Sequence, residues 1–535
     1  MMKRRFWLML LVLFMGTMFL AACGGDSEET ASPNDHETDS DVEGEEDTDG
    51  ATDDNTEVNS LVIGVGADMA SFDIHNHNAT NTEAIHINIF SYLVVRDGDG
   101  GFDGYLAESF ENVDETTWRF VLREGVQFHN GEELTAEDVK FTLDRVRTDE
   151  TLIEHNNFNQ IAEVNILGDY EFEIITEGPE PILLNRLSKI GAGILPKNYI
   201  EEEGWDHFLS NPIGTGPFKF NEWRRDDRVV LERFDNYFGG DVTEWEEVVF
   251  RVIPESSTRV NELLTGGIQI AENVPPAEWD RVNNNEGTSI VSGPTTRVML
   301  LTLKQEEQYA TSDIRVRQAI DYAINNQAIT EHVLAGKGTP IQSRVTPGST
   351  GAHPDLYDVY NFDQEKARAL LEEAGYGDGL EITFNSPQGR YMMDTEVAEL
   401  IRGMLSEVGI TANLEFMEWS NFVDMHSNGT NEEMYLVGLG NSMFDAALGM
   451  TSFHSRAAHR SGYANPELDA LLDAAETNMD PEERHELYLE AQEIVVRDMP
   501  FVFLYQVENI SGITDGIDYE PSVDELIYIP NINRN

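Results

Sequence analysis

"NPIGTGPFKFNEWRRDDRVVLERFDNYFGG" (Asn211–Gly240) is the stretch on which the reading of this chain turns. Gly214 and Gly216 flank Thr215, an arrangement that first suggests a loop cradling phosphate. A phosphate loop continues as Gly-Lys-Ser/Thr and opens a helix. Neither happens here, because Phe218 and Phe220 alternate as they would in a strand. Pro212 and Pro217 restrict the backbone on both sides, so the segment reads as a rigid crossing that turns into a strand.

On either side, short elements alternate without a regular repeat. "SLVIGVG" (Ser60–Gly66) is an apolar run closed by glycines, as expected of a buried strand. "WRFVLREGVQF" (Trp118–Phe128) predicts two strands joined by a turn at Glu124-Gly125. "TAEDVKFTLDRV" begins with Thr135, and Asp138 three residues on forms a variant capping box for a helix. "DIRVRQAIDYAIN" (Asp313–Asn325) and "DQEKARALLEEAGY" (Asp363–Tyr376) predict capped helices, the second closed by Gly375. "PEERHELYLEAQEIVVRD" (Pro481–Asp498) places proline at a helix entry. "PFVFLYQ" (Pro500–Gln506) is apolar on both faces, the pattern of a strand covered on both sides. The expected class is mixed α/β.

The N-terminal end sets where such a chain works. Lys3, Arg4 and Arg5 precede an apolar run from Phe6 to Ala22. The run is short of the roughly 20 residues of a spanning helix and has the charged, apolar and small-residue regions of an export signal. Leu20-Ala21-Ala22-Cys23 resembles the lipobox of bacterial lipoproteins, which implies that Cys23, the only cysteine, carries lipid at the mature N-terminus. Two or more acyl chains, at about 0.8 kcal/mol per buried CH₂, give a stable anchor where one does not. From Asp26 to Glu57 there are 15 carboxylates and no Lys or Arg. Such a segment is too polar to fold and reads as a tether with a reach of about 35 Å.

The formal net charge is −64. A surface this acidic repels nucleic acid and anionic lipid heads. It suits a salty habitat, where screening relieves self-repulsion.

Taken together, the segments resemble the family 5 solute-binding proteins of bacterial ABC importers. The resemblance runs from about Leu61 to the C-terminus. It rests on "LREGVQFHNGEELTAEDVKFTLDRV", "NPIGTGPFKF" with "LERFDNYFGG", "VRQAIDYAIN", "DQEKARALLEEAGY" and "MPFVFLYQ". It implies a two-lobed periplasmic-binding-protein type II fold with an extra domain inserted in the first lobe. The expected organisation is a signal peptide at 1–22 and a lipidated, acidic tether at 23–60. Lobe I is expected at 61–93, 196–297 and 501–535, the insert at 94–195 and lobe II at 298–500. Ligand would bind between the lobes, which close on a hinge.

In peptide-binding relatives an aspartate anchors the ligand's ammonium group. Without gaps, "GLGNSMFDAALGMTSFHS" (Gly438–Ser455) puts Ser442 in that place, beside Asn441, and Asp445 at the second acidic position. Serine cannot neutralise a buried ammonium, so Asp445 or Glu418 is expected to replace it, or the ligand presents another group; a helix cap is the structural alternative for Asp445. The segment resembles the branch labelled as glutathione or uncharacterised peptide receptors. "SPQGRYMMD" (Ser386–Asp394) offers Arg390 as a carboxylate clamp, with Tyr391 beside it. Trp419 in "FMEWSNF" (Phe416–Phe422), and Ser71 and Phe72 in "ADMASFDIHNHN" (Ala67–Asn78), complete the expected contacts. His75, His77 and His86 read as solvated histidines rather than metal ligands, and no cofactor is expected.

The sequence has no G-x-S-x-G elbow, no H-E-x-x-H and no free nucleophilic cysteine, which argues against a hydrolase. The resemblance implies a monomeric, lipid-anchored receptor. Its expected partners are a short peptide or glutathione-like ligand, a permease with its ATPase, and the membrane through the lipid. A nickel or metallophore receptor of the same family is the alternative.

Overall fold

The computed structural model describes residues 59–98, 100–359 and 361–535. The expected signal, Cys23 and the tether through residue 58 lie outside them. Fifteen strands carry the architecture. In chain order they begin with β1 (Ser60–Val65), β2 (Ala107–Asp114), β3 (Thr117–Leu122), β4 (Ile161–Gly168) and β5 (Glu171–Thr176). Then come β6 (Phe218–Arg224), β7 (Arg228–Arg233), β8 (Glu247–Val252), β9 (Ile270–Glu272) and β10 (Thr288–Leu303). The last are β11 (Thr339–Pro340), β12 (Leu380–Pro387), β13 (Ile410–Met417), β14 (Met434–Leu439) and β15 (Phe501–Thr514).

An 11-stranded sheet runs in the order β13-β12-β14-β10-β15-β9-β1-β8-β7-β6, with β11 beside β15. The centre is an antiparallel pair of long strands. β10 and β15 match from Thr288 with Thr514 to Thr302 with Phe501, and the register breaks between Pro294 and Val298. On one side of that break the sheet packs Leu61, Ile63, Phe218, Leu231 and Phe250 into one core. On the other, Leu301, Phe384, Leu436 and Leu504 are buried with the helices Ile314–Ala323 and Asp394–Glu407. Phe501 and Phe503 point to the opposite face, against Tyr435 and Tyr488. The residues 501–506, assigned in sequence to the first lobe, thus pack with the core of the second, and the crossing lies inside β15.

A separate sheet, β2-β3-β5-β4, carries the Ala136–Thr148 helix on one face. Phe120 stacks on Phe172 at 5.2 Å between ring centroids, and Val139, Leu143 and Val146 cover them. The helix starts as its sequence requires, with the Thr135–Asp138 capping box formed on both sides. The second strand expected in Trp118–Phe128 does not form. After Gly125 (φ +77°) the chain makes an isolated bridge at Gln127–Glu133, because Phe128 and Leu134 instead turn inward to the core.

The Asn211–Gly240 segment does enter β6, and its glycines have a steric task. The Gly216 amide donates to the Ile89 carbonyl at 2.8 Å and the Phe218 amide to the Asn88 carbonyl at 3.0 Å. A Cβ at Gly214 would sit 2.1 Å from the Ile89 oxygen, and one at Gly216 2.5 Å from the Asn88 oxygen. The obstacle is backbone, so relief requires moving the main chain. Gly214→Ala is expected to lower stability by about 1–3 kcal/mol, read as the urea midpoint; an unchanged midpoint would refute the close approach.

Candidate ligand-binding site

A cavity of about 250 Å³ opens where the first core, the small sheet and the second core meet. Arg96, Glu154 and Lys189 reach it from the segment holding the small sheet. Thr296, Arg297, Asn441 and Ser442 reach it from β10 and from the loop after β14, and Asp524 and Glu525 from the C-terminal segment. Its wall is therefore charged, and the question is which charges are already committed.

Two pairs are. Lys189 Nζ lies 2.5 Å from Glu154 Oε2, both side chains buried, and the lysine also donates to the Ile190 carbonyl at 2.8 Å. Arg297 Nη2 lies 2.7 Å from Glu525 Oε2. Arg96 and Asp524 are not so matched. The Arg96 guanidinium sits 4.0 Å over the Phe444 ring and donates to the Met443 carbonyl at 3.3 Å. Burial pulls its pKa down, against the pull of Asp445, Asp524 and Asp97. Asp524 accepts only the Leu526 amide, at 3.0 Å. Phe444 holds its ring beneath Arg96 from a left-handed backbone, φ +54°, which a bulky residue seldom adopts.

Behind this wall stands a buried cation without an acid. Arg344 donates to Ser452 Oγ at 2.8 Å and to the Gly440 carbonyl at 3.1 Å, and its Nε has no partner. Burial, followed by the nearby Arg460 and Arg297, lowers its pKa to about 10. Arg390 stands 5.0 Å from the Trp419 ring and 5.2 Å from Tyr391. Its charge feels Arg297 and Glu525. Arginines from several segments thus face one region of a strongly acidic protein.

Of the residues expected from sequence, Asn441 and Ser442 line the cavity. Asn441 donates to the Asp445 carbonyl at 3.0 Å, and its Oδ1 is buried without a partner. Tyr391 lies beside the cleft arginines and donates its hydroxyl to the Gly438 carbonyl at 3.0 Å. The acidic candidates are placed differently. Asp445 is buried in a bidentate pair with Arg484, at 2.8 and 2.5 Å. It also caps the short helix Ala446–Met450 through the Ala447 amide at 2.8 Å. Glu418 is exposed and caps the Trp419–Asn428 helix through the Ser420 amide at 2.9 Å. Both carboxylates thus have structural duties, and neither lines the cavity.

Phe72 is core, edge-on to Phe220 at 4.9 Å and to Trp223 at 5.5 Å. Ser71 Oγ accepts the Asp73 amide at 2.8 Å. Neither reaches the cavity. The three histidines are buried, not solvated; burial lowers His75 to about 3 and His77 to about 4. Arg96, Lys189 and Asp524 went unseen in sequence because they sit in separate segments with no motif around them.

The fold, with its small charged cavity, is that of the type II periplasmic solute-binding proteins. A family model, bacterial extracellular solute-binding proteins, family 5 middle, matches residues 102–459, and the chain belongs to that family. The glutathione-binding protein GsiB of Salmonella typhimurium is 26% identical over 464 residues, covering 84% of this chain and 90% of that protein. The Helicobacter pylori protein DppA, solved in complex with the peptide STSA, superposes with a TM-score of 0.75 at 25% identity. The match covers 89% of this chain and 98% of that one. The Bacillus subtilis oligopeptide-binding protein AppA, solved with a nonapeptide, gives 0.75 and 25%, covering 89% and 99%.

Removing one member of a buried ion pair strands the other. Asp445→Ala is therefore expected to cost about 3–5 kcal/mol, whereas Glu418→Ala loses only an exposed cap, about 1 kcal/mol. Equal urea midpoints for the two variants would overturn the structural role given to Asp445.

Proposed function

We propose that this protein is a lipid-anchored receptor of an ABC importer that captures a short peptide or a peptide-like ligand such as glutathione between its lobes and delivers it to the permease. The observation that carries the reading is the pair of uncommitted opposite charges, Arg96 and Asp524, in one cavity whose other charges are paired. A zwitterion supplies both complements: a carboxylate for Arg96 and an ammonium for Asp524. The positive surroundings of Arg344 and Arg390 favour a ligand with an additional carboxylate, as glutathione has. The cavity is slightly smaller than the usual range of about 300–1,000 Å³ for small-molecule sites, which favours two or three residues over a long peptide.

Isothermal titration with dipeptides, tripeptides and glutathione checks this. Charge-assisted hydrogen bonds contribute about 1.5–3 kcal/mol each, so Arg96→Ala and Asp524→Asn should each weaken binding about 10- to 100-fold. Amidating the ligand's carboxylate should weaken the wild type but add little to Arg96→Ala, and acetylating its amine should behave likewise with Asp524→Asn. Heat-silent titrations with every peptide and with glutathione would end the proposal.

The anchor rests on Leu20-Ala21-Ala22-Cys23 and is tested apart from the cargo. Cells given labelled palmitate should incorporate it into the wild-type chain and not into Cys23→Ser, which should leave the membrane fraction. Label persisting in Cys23→Ser would contradict lipidation at that sulfur.

A further inference from the structure

Three side chains that the ligand cavity does not use meet just behind its wall. His77 lies in the loop after β1, and Glu83 and His86 stand three residues apart on the helix Thr80–His86. All are buried, at 3%, 2% and 1% exposure. His77 Nε2 is 3.2 Å from His86 Nδ1 and 3.6 Å from Glu83 Oε2, and His86 Nδ1 is 3.8 Å from the same oxygen. The point equidistant from these three atoms lies about 2 Å from each, the length of zinc–imidazole and zinc–carboxylate bonds, roughly 2.0–2.2 Å.

The carboxylate supplies an independent sign. Glu83 Oε1 accepts the Tyr92 hydroxyl, but Oε2 is buried with no hydrogen-bond partner. A carboxylate oxygen left bare in a dry interior is costly, and Lys189 is already paired with Glu154. A cation at the common point would resolve this.

We infer that His77, Glu83 and His86 form a binding site for one divalent ion of the zinc class, resident in the fold and separate from the cargo. The neighbour of His86 suits the role, while His77 must change tautomer. His86 Nε2 lies 2.9 Å from the Ser71 carbonyl, which puts the proton on Nε2 and turns the Nδ1 lone pair inward, the usual outer-shell support for a ligating histidine. His77 Nδ1 accepts the Ala79 amide at 3.3 Å, so without metal its Nε2–H donates to His86. On metal binding that proton moves from Nε2 to Nδ1, and the long Ala79 contact is given up. A water completes a four-coordinate shell, entering past Asn78 and Thr80, which line the ligand cavity. The ion would pin the loop that carries Asn78 to the helix that begins at Thr80, fixing that part of the cavity wall.

The test uses the full mature chain stripped with a chelator. Zinc titrated against a chromophoric competitor should show one tight site per chain, at least 100-fold weaker in Glu83→Gln and in His86→Gln. Cobalt should give the visible absorption of a four-coordinate nitrogen–oxygen site, distinct from weak carboxylate binding by the Asp26–Glu57 segment. If the variants do not fold, anomalous diffraction from zinc-soaked wild-type crystals decides, the peak being expected between the three named atoms. Absence of a stoichiometric site, a peak elsewhere, or variants that bind as the wild type does would overturn the inference. Glutathione titrations of the stripped protein, run alongside, report on the cleft independently.

Discussion

β10 and β15 have to be continuous through both halves of the molecule, and the remaining structure is arranged around that constraint. Their pairing is regular up to Pro294, interrupted between Pro294 and Val298, and shifted once more between Met299 and Leu300. Pro294 has no amide to give to a ladder. The interruption is stitched by side chains: Thr295 Oγ1 donates to the Val507 carbonyl at 2.9 Å, and Gln506 Nε2 to the Thr295 carbonyl at 2.7 Å. A sheet bends most easily where its ladder is broken. Thr296 and Arg297, inside the break, line the cavity. The point about which the halves would move and the point at which ligand is felt are therefore adjacent in the chain.

The electrostatic plan follows from the same layout. A chain with 99 acidic and 35 basic residues is expected to find a carboxylate for every arginine. Arg344 is nonetheless buried with two neutral oxygens for partners and an idle Nε. Withholding an acid there leaves a positive field behind Gly440. Where a carboxylate is present nearby, as at Asp445, it is locked to Arg484 at the base of a helix. Glu154 and Glu525, which do line the cavity, are likewise paired, with Lys189 and Arg297, and Asp524 alone among the lining acids has no ion pair.

What could be read from sequence depended on how local its cause was. Helix starts at Thr135, Asp313 and Asp363, and the entry at Pro481, are written in a few consecutive residues, and each forms. The turn into β6 was likewise legible from Pro217, Phe218 and Phe220. Burial of Phe72 was not, because the rings that enclose it, Phe220 and Trp223, come from about 150 residues downstream. The burial of His86 was missed although one of its covering rings, Phe90, is only four residues on; the other, Phe72, comes from the loop after β1. In the site, the loop after β14 was found because the resemblance has a motif there. Asp445 was weighed as an anchor because acids in that loop draw attention, yet its partner Arg484 lies on a helix 39 residues on. Arg96 and Asp524 carry no motif, and only the fold brings them to one cavity.

That juxtaposition bears on how a binding protein selects its ligand. Arg96 and Asp524 line the cavity half-buried and without a direct ion pair, with Asp445 and Asp524 acting on Arg96 only through space. Lys189–Glu154 and Arg297–Glu525 are each satisfied before any ligand arrives. On the proposed reading, a zwitterion that matches both uncommitted groups gives each a direct charged partner that the empty cavity does not supply. The ligand then shifts the balance by its differential affinity for the closed form. A neutral solute of the same size would fill the cavity yet leave both charges stranded, so selection for charge and coupling to closure would be one effect.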